Sequence, residues 1–331
     1  MVHNNLNLGY CQIVTKNLLL LAENGAALQV RRGSLCVRGA DRTETLYPAR
    51  VHGLRVIIMA GRGGSLTDEA IRWAAREGVA LYLMCRSGEA FSVVGETMET
   101  DHRRLALAIR QRQFRAASDP RRRLEIARKI VAAKLRMLEL HPADAVAFRA
   151  EIADARSVLD LMAAEARAGG AYFLRFRGIK MRFRDDVPEH WRIFIVRSAP
   201  ALKGLIGTSK ARNAATPIGA MLNYVYAVAL GQCTRAVIGI GMDPCFGFLH
   251  VPRQGRLSLS YDVLELHRAD LTSAVFDHVR RNVFTGSAFE QSQTGVVSLG
   301  PTVARDIAAI ALRTATIPAC ERTVRRLLGW L

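Results

Sequence analysis

The first part of the chain carries short apolar runs set off by turn residues: Leu18 to Ala22, Ala27 to Val30, Ser34 to Val37 and Arg55 to Met59. Runs of this length read as strands. Between them, Glu23-Asn24-Gly25 and Arg31-Arg32-Gly33 supply the residue types for which a positive φ costs least, so tight hairpins and a small antiparallel β module are expected. After Gly61-Arg62-Gly63-Gly64, the segment Ser65-Leu66-Thr67-Asp68-Glu69 offers hydroxyl caps and early acids. Ala70, Ile71, Ala74 and Ala75 then set a helical stripe that ends near Gly78. Val79 to Cys85 reads as a further apolar strand.

From Leu105 onward the apolar period lengthens, as in Leu124, Val131, Leu135 and Leu138, which recur at steps of seven, four and three. Pro120 and Pro142 divide this part into helices, and Ala143 to Phe173 holds Ala-rich, charge-studded spacing without proline. The chain is therefore expected to be an α+β protein. A small β-sandwich-like domain (1–95) would lead through a linker (96–104) to a larger all-α domain (105–331).

Composition changes this picture in one respect. Half of the 331 residues are hydrophobic and no low-complexity tract interrupts them, so the chain should fold by itself. Yet 47 Lys and Arg stand against 29 Asp and Glu, a formal charge of +18. Such self-repulsion calls for an anionic counterpart, and nucleic acid fits best. A membrane does not, because no run of about 18 apolar residues and no unbroken basic amphipathic face occurs. Leu18 to Ala22 is too short for a signal-peptide core, which points to a cytoplasmic protein. The six cysteines are scattered without a C-x-x-C pair, and read as reduced, mostly buried thiols and not as a zinc site. Gly61 to Gly64 lacks the following G-K-[ST] of a phosphate-binding loop and is a turn.

Candidate chemistry concentrates near the C-terminus. Gly241-Met242-Asp243-Pro244-Cys245-Phe246-Gly247-Phe248-Leu249-His250 is a glycine-rich turn that delivers a histidine from an apolar segment. A lone histidine of this kind is more commonly a core residue bonded to a carbonyl. The following run, Leu257 to Leu266, shifts the balance, because Asp262 and Glu265 stand three apart in otherwise apolar sequence and share one helical face. Carboxylates in such surroundings need neutralising, by a divalent metal or by Arg268 at i+3 from Glu265. A histidine with acids suits manganese, zinc or iron and is tolerated around magnesium. Glu165, between Ala164 and Ala166, is a candidate third ligand, although its pattern alone reads as a solvated helix residue. Basic residues then interleave with aromatics through Tyr172, Phe173, Arg175, Phe176, Arg177, Lys180, Arg182, Phe183 and Arg184, as phosphate contacts flanked by stacking rings would. Further basic clusters stand at 102–104, 121–123 and 280–281.

These segments resemble the CRISPR-associated endonuclease/integrase family, the universal spacer-acquisition protein of CRISPR systems, over nearly the whole chain. Met242 to His250 is similar to the segment ending in that family's metal-binding histidine. Ser258 to Arg268 is similar to its acidic helix, and Glu165 with Tyr172-Phe173 to the segment supplying its ligand glutamate. Ala220 to Tyr226 resembles the helix between glutamate and histidine, with Thr216-Pro217 where Asp-Pro is usual. The chain departs from the family pattern at Ala166 (usually glycine), Gly170 (usually arginine), Gly219 (usually asparagine) and Ala269 (usually proline). Arg167 would be a substitute for the missing arginine, but at i+2 from Glu165 it points away from it on a regular helix.

The resemblance implies a small N-terminal β domain and a larger helical domain. It also implies a Mn²⁺ or Mg²⁺ ion held by Glu165, His250 and Glu265, with Asp262 as the supporting acid. The implied activity joins prespacer 3′-hydroxyl ends to the repeat array by transesterification, and becomes endonuclease chemistry when water replaces the hydroxyl. Implied partners are double-stranded prespacer and target DNA, a second copy of the chain, and a small dimeric adaptation protein. Two alternatives stand beside this reading: a mobile-element integrase of the same lineage, and a DNA-binding scaffold whose metal site has decayed.

Overall fold

The computed structural model describes residues 13–15, 17–22, 24–60, 63–84, 90–94, 100–195, 214–253 and 256–331. The N-terminal part forms two sheets. β1 (Ile13–Thr15), β2 (Leu18–Leu21), β6 (Val56–Met59), β8 (Ala80–Met84) and β9 (Ala90–Val94) make a five-stranded sheet in the order β1-β2-β6-β8-β9. The second sheet has the order β5-β4-β3-β7, from β3 (Ala27–Arg31), β4 (Ser34–Arg38), β5 (Glu44–Tyr47) and β7 (Ser65–Leu66).

The expected antiparallel module is thus a mixed one, since β2, β6 and β8 run parallel. Parallel neighbours need a crossover, and α1 (Asp68–Arg76) provides the one between β6 and β8. It is capped by Thr67, whose side chain accepts from Ala70 N, and it is left through Gly78 at φ +66°. The Asn24-Gly25 connection is not a hairpin, because β2 and β3 belong to different sheets. Arg32-Gly33 is one: both residues have positive φ (48° and 77°), and Arg31 pairs with Ser34.

Strand side chains alternate between two cores, which explains runs that are apolar throughout. Leu19, Leu21, Ile57 and Leu81 face the second sheet and Trp73 of α1. Leu18, Leu20, Val56, Ile58, Ala80 and Tyr82 join the core of the helical part. Tyr82 seals that junction by donating to Gln232 Oε1 at 2.7 Å. A Cβ on Gly231 would lie 2.8 Å from the Tyr82 ring, so glycine permits this close approach.

The C-terminal part is built from α2 (Thr100–Ser118), α3 (Pro120–Met137), α4 (Pro142–Asp154), α5 (Val158–Leu174), α6 (Pro217–Gly239), α7 (Ser258–Glu265), α8 (Arg268–Arg281), α9 (Pro301–Thr314) and α10 (Ile317–Leu328). α6 is buried along most of its length and α7, α8, α9 and α10 pack around it. Two ribbons missed in the sequence interrupt the helices: β10 (Arg182–Phe183) pairs parallel with β11 (Val283–Phe284), and β12 (Phe289–Gln291) pairs antiparallel with β13 (Val297–Leu299). Residues 95–99, within the expected boundary region, lie outside the described residues. Cys36, Cys233 and Cys320 are buried thiols and Cys245 an exposed one, while Cys11 and Cys85 lie outside the described residues. No helix among the described residues is long and apolar enough to cross a membrane.

Candidate active site

The turn from Met242 to His250 is held from three sides. Gln113 of α2, fully buried, donates to the carbonyls of Asp243 (2.8 Å) and Phe246 (2.7 Å) and accepts from Asp243 N (2.8 Å). Arg123 of α3 donates from Nε to Phe248 O at 2.9 Å. The third anchor is Asp262. Its Oδ2 accepts from Phe248 N (2.6 Å) and Leu249 N (3.1 Å), and its Oδ1 accepts from His250 N (2.9 Å) and lies 2.8 Å from His250 Nδ1. A fully buried carboxylate is thereby satisfied by three backbone N–H groups and a ring. Gly247 has no room for a side chain, because a Cβ would meet Ser258 C at 2.7 Å and His250 O at 2.8 Å.

One helical turn later, Glu265 faces a different set of partners. Lys134 Nζ of α3 lies 2.5 Å from its Oε2, and Arg268 Nε lies 3.0 Å from its Oε1. The same Lys134 ammonium bonds Glu165 of α5, bridging two of the three expected ligands. Lys134 and Glu265 side chains are 7% and 5% exposed, whereas Glu165 is 24% exposed and forms the open side of the site. Burial alone would raise the Glu265 pKa, but Arg268 and Lys134 outweigh it, with His250 acting the same way, and hold it at about 2. Burial alone would lower the Lys134 pKa, but Glu265 and Glu165 outweigh that and keep the amine charged.

Among the described residues, no three or more His, Cys, Asp and Glu side chains close on one point. Glu165, His250 and Glu265 are not gathered into a finished coordination sphere, because the Lys134 ammonium sits between the two glutamates. The donor set still fits a divalent ion. Two carboxylates here already demand positive charge, and Asp262 engages His250 at Nδ1, so that a metal held by this ring would meet Nε2. Lys134 escaped the sequence reading although it lies on the Val131–Leu138 face of α3, where a charge signals a buried partner.

One further expectation is corrected. The rings of the 172–184 segment do not serve as stacking platforms. Tyr172 and Phe176 are buried, Phe176 stacks on Phe276 at 4.1 Å, and Phe173 packs by Phe194. Arg175, Arg177, Lys180, Arg182 and Arg184 alternate with them on the exposed side, so the pattern separates core from a basic surface. Arg167 points away from Glu165, as its i+2 spacing implies, and pairs with Glu151 at 2.5 Å. In the 121–123 cluster only Arg121 is exposed; Arg122 binds Glu125 and the Trp330 carbonyl. The side chains at 102–104 lie outside the described residues.

Beside Glu165 opens a cavity of about 300 Å³, whose walls include Lys134, Arg268, Tyr172 and Tyr226. All five departures from the family pattern, Ala166, Gly170, Thr216, Gly219 and Ala269, also line it. Around the Cβ that Gly170 lacks there is open space.

A strand-rich N-terminal part followed by a larger helical part is a fold shared with several solved proteins. A casposase solved bound to its integration product superimposes with a TM-score of 0.78 at 21% identity, over 95% of this chain and 91% of that one. A Cas6-RT-Cas1–Cas2 complex matches with a TM-score of 0.70 at 15% identity, over 97% of this chain and 36% of that one. In sequence, a CRISPR-associated endonuclease Cas1 of Thermus thermophilus is 29% identical over 281 residues, 84% of this chain and 80% of its own length. The family model for CRISPR associated protein Cas1 matches residues 19–309, and the chain belongs to that family.

Proposed function

We propose that this protein is a metal-dependent DNA integrase and endonuclease of CRISPR adaptation, with Glu165, His250 and Glu265 as ligands and Asp262 as the residue that positions His250. The observation that carries the reading is the buried acid pair of α7, which divides its work between the histidine turn and a cationic site. When bound there, a Mn²⁺ or Mg²⁺ ion supplies Lewis-acid stabilisation of the charge that develops on a phosphodiester under attack. Asp262 holds the His250 ring in one orientation through Nδ1 and fixes the backbone that carries it. Glu265 stays ionised at neutral pH, and Arg268, stacked 4.8 Å over the Tyr226 ring, keeps its orientation.

In integration, a DNA 3′-hydroxyl attacks a target phosphodiester, and one phosphodiester replaces another, so no ATP is needed. With water as nucleophile the same site cuts DNA. The exposed basic residues from Arg175 to Arg184 and at Arg280-Arg281 would hold the duplex by its phosphates. Joining two strand ends calls for a dimer, for which exposed Leu46 and Val51 on the N-terminal part offer apolar contact, and for a small Cas2-like partner bridging dimers.

Strand transfer of a short duplex with 3′-hydroxyl ends into a repeat-bearing plasmid, with Mn²⁺, tests the assignment. The native chain should join the DNAs, and His250→Ala and Glu265→Ala should each lose joining by at least about a hundredfold. Undiminished joining by either variant would remove that residue from the site.

A further inference from the structure

The protein holds a buried cation of its own at the place where the metal reading needs one. Lys134 reaches from α3 between α5 and α7, and its ammonium bridges Glu165 and Glu265. With Arg268 it balances the two glutamates: two positive charges against two negative. A divalent ion seated on the same carboxylate oxygens would place like charge against the ammonium, and both cannot use those lone pairs. The neighbouring cavity, walled by Lys134, Glu165 and Gly170, gives a flexible four-carbon stem room to swing aside.

We propose that Lys134 is a resident placeholder for the metal, holding Glu165 and Glu265 together in the metal-free protein and leaving them when the ion enters. The inference rests on the metal-site reading given above. Metal loading then includes displacing an ammonium, so the native affinity is weaker than the donor set alone would give. After loading, Lys134, Arg268 and the ion outnumber the glutamates in charge, and the excess suits an entering phosphodiester. DNA and metal therefore bind with positive coupling, each tightening the other by the same factor.

Mn²⁺ titration of the full-length protein without DNA, followed by calorimetry and by the electron-spin signal of free Mn²⁺, tests this with Lys134→Met and Lys134→Gln. The placeholder role predicts Mn²⁺ binding tightened on the order of tenfold or more in both variants. It also predicts a lower melting temperature without metal, restored by Mn²⁺. A lysine needed merely for packing would give weaker binding instead, and unchanged or weaker Mn²⁺ binding in the variants overturns the inference. If Lys134→Met does not fold without metal, it is refolded with Mn²⁺ and release to a chelator is measured; release slower than from the native protein supports the role and equal or faster release overturns it. The two readings fail differently. A native chain that binds no Mn²⁺, or binds it equally well as Glu265→Gln, overturns both. Native binding that Glu265→Gln abolishes, combined with weaker binding in the Lys134 variants, overturns the placeholder alone.

Discussion

Asp262 and Glu265 sit three residues apart and have unlike tasks. Asp262 is spent on backbone: three N–H groups and a ring nitrogen converge on its two oxygens. In Asp262→Asn an amide NH₂ would face at least one of those donors, and a buried mismatch of this kind costs about 1–3 kcal/mol. Urea denaturation should show that loss; equal stability would mean the turn has other adequate anchors. Glu265 instead is held by cations, with its pKa depressed to about 2. A carboxyl whose folded-state pKa lies below its ordinary value stabilises the fold above that ordinary value. The metal-free protein should therefore lose stability as pH falls from the usual glutamate value of 4.5 through about 2, and Glu265→Gln should flatten that limb of the profile. The acid pair was legible in sequence because two carboxylates in an apolar run demand partners, and Arg268 at i+3 was foreseen as one. Lys134 was not: a charge on the apolar face of α3 signals a buried partner, but which partner it is, on another helix 131 positions away, leaves no local trace.

At the scale of elements, what decides legibility is whether a pattern is local. The cap at Thr67 and the Arg32-Gly33 hairpin are local and followed from sequence. Strand direction is not: Leu18 to Leu21 and Val56 to Met59 are apolar throughout because they are buried on both faces, a mark of parallel strands that the hairpin reading overlooked. The alternation of rings and basic residues from Tyr172 to Arg184 was visible, but interior and exterior were merged into one surface. Thr216 shows a departure that keeps a role, since where aspartate is usual its hydroxyl accepts from Gly219 N at 3.2 Å and caps α6. The fit of α6 to β8 gives a sharper test. In Gly231→Ala the new methyl meets the fully buried Tyr82 ring at 2.8 Å, and overpacking of that sort costs about 1–3 kcal/mol. Thermal denaturation should reveal it, and Gly231→Ala combined with Tyr82→Leu should recover part of the loss. An unchanged melting temperature for the single variant would show that the helix is free to shift.

For the whole molecule, a charge of +18 spread over exposed arginines would make the proposed binding to DNA a matter of displaced counterions. Affinity should fall steeply as salt rises, and Arg177→Ala with Lys180→Ala should weaken binding alike for all sequences. For every phosphate that a variant no longer neutralises, the slope of log affinity against log salt should become shallower by about 1. Tight binding that is indifferent to salt would contradict the electrostatic reading. The five-stranded sheet has a bearing on how the molecule can be dissected. Leu18, Leu20, Val56, Ile58 and Tyr82 belong to the helical part's core, while their neighbours in the same strands build the other. A fragment severed ahead of residue 105 would leave α6 with a bare apolar flank where that sheet had been. It should come out of the cell insoluble, so the helical part is best probed by point substitution within the intact chain, not by truncation.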